Sequence, residues 1–553
     1  MNDFFINIGS ELASKFQNNN ENEFLKFMGE KSDQSMYMHK TNPDEVRKII
    51  EKLKDKKSCG YDELSARFLK LCSPYISEPL ANILNASIVN GIYPDPLKIA
   101  SVTPVYKKGA KNDPSNYRPI NVLSTVNKVF EKILHKRLYK YLSKFEILYD
   151  YQFGFREGHS TTQALVEITD RIKFAIDKNE LTCGIFIDLT KAFDTVNHHI
   201  LLQKMYNYGI RGNVYSLFKS YLSNRQQFVK VNNEKSDMKY VTCGVPQGSV
   251  LGPLLFIIYI NDIANSCKEG QFRIFADDTG IFCHSYNIES LIAKAEIIIK
   301  NVSEWFAANK LTLNVSKTSY VIFKSKKMTN INIPNTISYK EIKINRESQV
   351  KYLGLILDEH MSWDSHTNEI CNKLKSFFPL FYNIRHYLDK EHINAIFYTM
   401  IYSRIKYGSI VTGLTSNDNI NKIQVMQNRL LKVLSHKHYR YSTNKLHNEL
   451  SILKFEDVVK QEILSFVHSY VHDKLPGVFK NYFIHRHDLL EMITEPRKRR
   501  FVLPLVKKDI GISTVKTMGS KLFNDKAQAI NLNVGIKAYR KCIKKIYLPY
   551  HDI

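Results

Sequence analysis

Between Asp44 and Ile92 apolar residues recur every three or four positions, in VRKIIEKLKDK, LSARFLKLC and LANILNASIVNGI. That spacing lines one face of a helix, and Pro94 and Pro96 close the block. IASVTPVYKK (99–108) predicts a short strand, KNDPSNYR (111–118) a turn-rich loop, and NKVFEKILHKRLYKYLSKF (127–145) a long basic amphipathic helix. The outer face of that helix is either simply solvated or faces RNA. CGIFID (183–188) reads as a buried strand running into a helix over 190–206, and FRIFADDTGIFC (272–283) as a hairpin. KYLGLILD (351–358) is a further strand, and helical patterns dominate from about 366 to 480. Residues 17–45, with QNNNENE and KSDQS, are polar and predict a linker or mobile arm, with order starting near Pro43.

Two features of this pattern carry chemistry. Asp277 and Asp278 sit side by side at the predicted hairpin turn, between apolar runs, and Asp188 ends another apolar strand. Clustered carboxylates in apolar surroundings are costly unless a cation neutralises them, so the pair is either an exposed turn or a cation site. If the three acids converge, two Mg²⁺ ions about 4 Å apart would relieve their repulsion and suit in-line nucleotidyl transfer. Between these acids, Pro246, Gln247 and Gly248 form a turn opening the apolar helix of VLGPLLFIIYI, where glycine lets backbone approach a ligand.

Charge narrows the partners. Lys and Arg number 79 against 54 for Asp and Glu, a net +25 over 553 residues, which favours a polyanion and makes nucleic acid the first expectation. An anionic membrane would be the rival, but the longest apolar run is too short to span a bilayer and is broken by Gly252 and Pro253. With 44% hydrophobic and 24% charged residues the chain is expected to fold, into more than one domain at this length. The N-terminus has no secretory pattern, so the protein is expected inside the cell, in nucleus or cytoplasm, not secreted. Eight cysteines are scattered without a C-x-x-C pair, which predicts reduced thiols and oxygen-held metal.

In order, DLTKAFD (188–194), VPQGSVLGPLLF (245–256), FADD (275–278), LNVSKT (313–318) and KYLGLILD resemble the reverse transcriptases of non-LTR retrotransposons, most of all the jockey-like LINE elements. The likeness extends upstream through NYRPINVLSTVNKVFEKIL (116–134) and QFGFREGHSTTQAL (152–165). Downstream it continues more loosely through YSTNKLHNELSILKFED (441–457). It implies an α+β fold, a right-hand polymerase with fingers, a palm built on an antiparallel sheet, and a helical thumb, followed by a mainly helical C-terminal region. The implied divisions are a connector arm (1–45), an N-terminal helical extension (46–100), fingers and palm (101–358), thumb (359–440) and a basic helical region (441–553).

The resemblance also implies roles. Asp188, Asp277 and Asp278 would be catalytic and hold two Mg²⁺, or Mn²⁺ in their place, with the carbonyl of Leu189 assisting. Phe193 falls at the family's steric gate, where a ring excludes a ribose 2′-OH; the other reading of the residues is a core ring of an amphipathic helix. Gln247 would lie under the incoming nucleotide, Arg118 would clamp its triphosphate, Lys107 or Lys108 would add a second cation, and Lys317 could protonate pyrophosphate. Asp194 reads as structural.

The activity implied is RNA-directed DNA synthesis from a primer 3′-OH, with RNA template, DNA primer and dNTP as partners, no membrane, and a ribonucleoprotein with the element's own RNA. Jockey-type elements place an apurinic-type endonuclease before the polymerase, and NDFFINIGSELASKF (2–16) resembles the connector after it, so that nuclease is expected to be absent. The alternatives are another palm polymerase, such as an intron maturase or RNA-dependent RNA polymerase, and a decayed element product that binds nucleic acid without polymerising. The basic patch at 497–500 reads as a localisation or RNA signal, or as a solvated loop.

Overall fold

A computed structural model describes residues 1–14, 22–55, 58–232, 234–329, 331–485, 500–526 and 532–548. The chain forms two compact units, each discontinuous in sequence: 1–155, 187–279 and 297–317 make the first, and 156–186, 280–296 and 318–553 the second. Both mix helices with sheet, in keeping with the expected polymerase class.

In the first unit, helix Pro43–Glu51 starts where the Asn42 side chain accepts from the Glu45 amide (2.8 Å). Helix Ala66–Asn90 is capped by Ser65 and stopped by Gly91 at φ 67°. Strand Ile99–Tyr106 pairs antiparallel with Tyr117–Leu123 and parallel with Arg225–Val231. Helix Thr125–Lys144 buries Glu131, which accepts from the Tyr221 hydroxyl (2.7 Å) and the Val250 amide (2.5 Å), and so ties this helix to the loop after Gln247. Helix Gly252–Tyr259 is buried along nearly its whole length, as a run without polar interruption requires.

A helix precedes the segment 17–45 read as a linker or mobile arm, and from Glu23 that segment is held to the fold. Asn2–Ser14 is a helix whose Phe5 packs with Val102 and Val229, and whose Asn2 side chain donates to the Asp237 carbonyl (2.9 Å). From Glu23 onward the chain is a strap: Phe24, Phe27, Met36 and Met38 are buried, and Ser32 and Met36 donate backbone hydrogen bonds to Asn207 and Gly209 (2.9 and 2.8 Å). Low β-branched content hid a segment that is held by four apolar anchors and by backbone pairing, with its polar residues turned outward. Residues 17–21 of the predicted arm lie outside the described residues.

The second unit is built on strands Thr336–Tyr339, Ile342–Arg346, Ser319–Phe323, Leu181–Ile187 and Asp278–Ser285, in that order across the sheet. Leu181–Ile187 is buried throughout and runs antiparallel to Ser319–Phe323. Back in the first unit, the predicted helix over 190–206 forms only as His198–Asn207, because the Asn197 side chain caps it by accepting from the Ile200 amide (3.1 Å). In the second unit, KYLGLILD is a hairpin rather than one strand: Gln349–Tyr352 and Leu355–Asp358 pair antiparallel across Leu353 and Gly354, both at positive φ (44° and 81°). Among the described residues no helix is long and apolar enough to cross a membrane, and all eight cysteines are free thiols. Of the basic patch 497–500, only Arg500 lies within the described residues.

One helix face organises the C-terminal part of this unit. Along Thr161–Asp177, the residues Asp170, Lys173 and Asp177 fall one turn apart and are all buried. Asp170 accepts from the amides of Val515 and Lys516 (both 2.8 Å), capping helix Val515–Lys526 from a distant element, and from the Tyr482 hydroxyl. Lys173 donates to the carbonyls of Ser513 and Leu414 (2.7 and 3.0 Å), and Asp177 accepts from the amides of Lys507 and Lys508 (3.0 and 2.7 Å). Burial drives the Lys173 pKa down to about 8. Removing one member strands the others in apolar surroundings. Asp170→Ala is therefore expected to cost about 3 kcal/mol of stability, read as a lower urea midpoint or melting temperature. An unchanged midpoint would show that the face is not a clamp.

Candidate active site

All the residues singled out for chemistry belong to the first unit. Asp188 follows the buried strand Leu181–Ile187. Its backbone carbonyl accepts from Asn314 (2.9 Å), Thr190 donates to the Thr312 carbonyl (3.0 Å), and Leu189 bridges Leu313 antiparallel. This short zipper brings the LNVSKT loop beside the acid, and the Lys317 ammonium lies 3.1 Å from Asp188 Oδ2.

Asp277 and Asp278 occupy the turn after strand Gln271–Phe275, next to Ala276 at φ 58°. The QFGF motif sets that turn. Gln152, buried, accepts with its side-chain oxygen from the amides of Gly154 (2.8 Å) and Ala276 (3.1 Å). A Cβ on Gly154 would stand 2.3 Å from the Ala276 nitrogen, so only glycine permits the approach. Phe155, next in the chain at φ 56°, brings its ring edge-on to Phe193 at 6.1 Å. Gln152, Gly154 and Phe155 were quoted in the sequence only as part of a likeness. The signal for them was the glycine between two phenylalanines, which marks a close backbone approach.

The electrostatics join the acids to one another. Protein crowding raises the pKa of Asp277; Asp188 raises it further, while its own backbone amide, Arg118 and Lys107 pull it down. Asp278 is pushed up to about 6 by crowding and then by Asp277 and Asp188. Of the causes that raise these two pKa values, desolvation by the surrounding protein comes first and like charge second, although solvent still reaches both side chains. Among the described residues no three His, Cys, Asp or Glu side chains are gathered tightly enough to form a metal-ligand group, and Asp188 is turned to Lys317. The donor chemistry still fits a divalent cation: Asp188 raises the pKa of Asp277, Asp188 and Asp277 raise that of Asp278, and every influence on Asp278 acts against its charge.

The cations follow the same pattern. The pKa of Lys107 is lowered by crowding and then by Arg118 and Lys317, and is raised by Asp188, so these four groups share one field. Of the two adjacent lysines, Lys107 is the one in that field; Lys108 acts on it only as a neighbouring charge. Arg118 is exposed on strand Tyr117–Leu123, opposite Val105. Three residues on, the Asn121 amide donates to the Gln247 carbonyl (2.7 Å). Gly248, at φ 118°, could carry no Cβ, which would meet the Asn121 carbonyl at 2.6 Å.

The Gln247 side chain donates to Asp194 Oδ1 (2.8 Å). Burial raises the Asp194 pKa to about 6, and its second oxygen has no hydrogen-bond partner. Asp194, read from sequence as structural, thus directly positions a predicted nucleotide contact. Phe193 is half-buried: one face stacks on buried Phe256 at 4.6 Å and 21°, and its backbone oxygen accepts from the Val245 amide (2.9 Å).

A family profile described as reverse transcriptase (RNA-dependent DNA polymerase) matches residues 105–357, which include every residue above. The chain is similar to the probable RNA-directed DNA polymerase from transposon BS of Drosophila melanogaster, 28% identical over 76% of this chain and 48% of the relative. It is similar to the X-element polymerase of the same organism, 27% identical over 78% of this chain and 48% of the relative. It also resembles the RNA-directed DNA polymerase from mobile element jockey of that organism, 26% identical over 75% and 46%. The chain spans about half the length of these relatives. Residues 105–357 thus match the profile of a reverse transcriptase (RNA-dependent DNA polymerase), and over about three quarters of its length the chain is similar to RNA-directed DNA polymerases of transposons and mobile elements.

Proposed function

We propose that this chain copies RNA into DNA by extending a primer 3′-OH, as an RNA-directed DNA polymerase of a non-LTR retrotransposon. The observation that carries the reading is the shared electrostatic field of Asp188, Asp277 and Asp278 with Arg118, Lys107 and Lys317. A site of acids faced by separate cations suits a triphosphate bound beside divalent metal. In this reading 101–358 forms fingers and palm, 359–440 the thumb and 441–553 a basic region bound to it, with the element's own RNA as partner in a ribonucleoprotein.

Asp188, Asp277 and Asp278, with the Leu189 carbonyl, would hold Mg²⁺, which when bound activates the primer hydroxyl and stabilises the leaving oxygen. Arg118 and Lys107 hold the triphosphate, the guanidinium fork matching phosphate oxygens. Gln247, steered by Asp194, supports the nucleotide from the glycine turn. Lys317, now paired with Asp188, is freed as the acids are neutralised, and its ammonium can then give a proton to pyrophosphate. Phe193, backed by Phe256, closes the space a 2′-OH would need.

Replacing Asp277 by Asn is expected to abolish Mg²⁺-dependent primer extension while template–primer affinity stays within about threefold, because the basic surface is untouched. Extension by the variant at the wild-type rate would reject the reading; template–primer binding without extension by the wild-type chain would favour a decayed element product.

Phe193→Ala should raise ribonucleotide use relative to deoxynucleotide use by roughly tenfold, about 1.4 kcal/mol in barrier difference. A lowered melting temperature with an unchanged ribo-to-deoxy incorporation ratio would mark the ring as packing alone.

Mg²⁺ should stabilise the chain in a pH-dependent way. The Asp278 pKa rises from 3.8 to about 6 on folding, so between those values the folded chain holds a proton the unfolded chain has lost. Its contribution to stability therefore falls as pH rises from about 4 to about 6 and stays lost above. The rise in melting temperature on adding Mg²⁺ is expected to be larger at pH 8 than at pH 5; equal rises would exclude Asp278 as a ligand.

A further inference from the structure

The second unit carries a surface, apart from the candidate active site in sequence, where rings and cations alternate. It consists of RHY (385–387) and HKHYRY (436–441), brought together by the edge-on rings of His386 and His436 at 4.7 Å. Tyr387 and Tyr439 are 85% and 68% exposed, and the Tyr439 ring lies against the His438 ring at 4.4 Å with its remaining surface open to solvent. Cations accompany them: the Arg440 guanidinium lies 5.3 Å from the Tyr439 ring centre, Arg385 lies 5.0 Å from that of Tyr382, and Lys437 lies 4.7 Å from that of Tyr441. No acidic residue occurs from Lys432 to Asn448. Of the acids flanking the two loops, Asp389 is engaged in capping helix Lys390–Ile396, and Glu449 accepts from the Tyr441 hydroxyl (2.5 Å) with its other oxygen 4.0 Å from the Lys437 ammonium, a loose surface pair that a phosphate can displace.

Exposed rings with cations beside them are the means by which proteins hold unpaired bases: each base stacks on a ring and its phosphates meet the cations. A duplex keeps its bases stacked on one another and offers nothing for Tyr387 and Tyr439 to take. The imidazoles of His386, His436 and His438 add ring nitrogens that can address a ribose 2′-OH. We propose that this patch binds single-stranded RNA, with bases on Tyr387 and Tyr439 and phosphates at Arg385, Lys437 and Arg440. The binding itself is independent of catalysis, and only the choice of RNA over DNA rests on the proposed function.

The test is fluorescence anisotropy of the full chain with a labelled, unstructured uridine-rich RNA, in excess unlabelled blunt duplex that occupies other basic surfaces. Tyr387→Ala with Tyr439→Ala should weaken binding roughly tenfold for each ring lost, whereas Tyr387→Phe with Tyr439→Phe should keep it, since stacking needs the ring and not the hydroxyl. Lys437→Ala with Arg440→Ala should lower the slope of log affinity against log salt by about 1.4. Melting temperatures of all variants should match the wild type, because these side chains are solvent-facing. Unchanged affinity in the double alanine variant would overturn the proposal, as would equal loss in the phenylalanine variant. Equal loss with a DNA strand of the same sequence would reject RNA as the occupant. Intact RNA binding with lost binding of polyglutamate would reassign the patch to an acidic protein. Asp277→Asn should leave all these affinities unaltered, so failure here and failure of the polymerase reading are told apart.

Discussion

Bringing three carboxylates into one field costs energy that no hydrogen bond among them can return, and much of the first unit is arranged to bear that cost. Asp188 is fixed by main-chain pairing to the 312–314 segment, so its position does not depend on its own side chain. Asp277 and Asp278 are fixed from the opposite direction, by Gln152 gripping the Ala276 amide and by the missing Cβ of Gly154. Neither anchor uses the charges it positions. The acids remain under mutual repulsion, with Lys317 offsetting only Asp188. Backbone contacts thus hold the acids in place, while one of them is turned to an internal ion pair with Lys317.

The surrounding cations and the nucleotide loop depend on the same economy of backbone contacts. Strand Tyr117–Leu123 carries Arg118 and, through the Asn121 amide, holds Gln247; helix Thr125–Lys144 reaches the same loop through buried Glu131. Because Gly248 admits no side chain against Asn121, the loop cannot drift from the strand. The strand that carries Arg118 and the turn that carries Gln247 are therefore joined by main-chain contact.

Much of this was legible in the sequence because it rested on periodicity and on charge placed against apolar runs. The strand ending at Asp188, the hairpin around Asp277, the helix over 125–144 and the turn at Gln247 were all signalled that way. What escaped was held by long-range backbone pairing. The segment from Glu23 to Asn42 looked like a linker because its four apolar anchors follow no regular period. The helix expected over 190–206 was shortened because Asn197 caps it and residues 188–196 pair elsewhere, and no local propensity reports that competition. Asp194 shows the same limit in a single residue: its link to Gln247 joins positions 53 apart in sequence.

The buried Asp170, Lys173 and Asp177 face has a consequence for how the chain is made. Its partners at 507–516 follow it by more than 300 residues, and Lys173 to Ser513 alone spans 340. At bacterial to eukaryotic elongation rates of about 5–20 residues per second, the helix leaves the ribosome roughly 20–70 s before the segment that covers it. During that interval the nascent second unit presents two carboxylates and an ammonium without their intended partners, on a face too polar to collapse against neighbouring apolar strands. Leu414 can meet Lys173 earlier, but the two carboxylates of this face wait for residues 507–516.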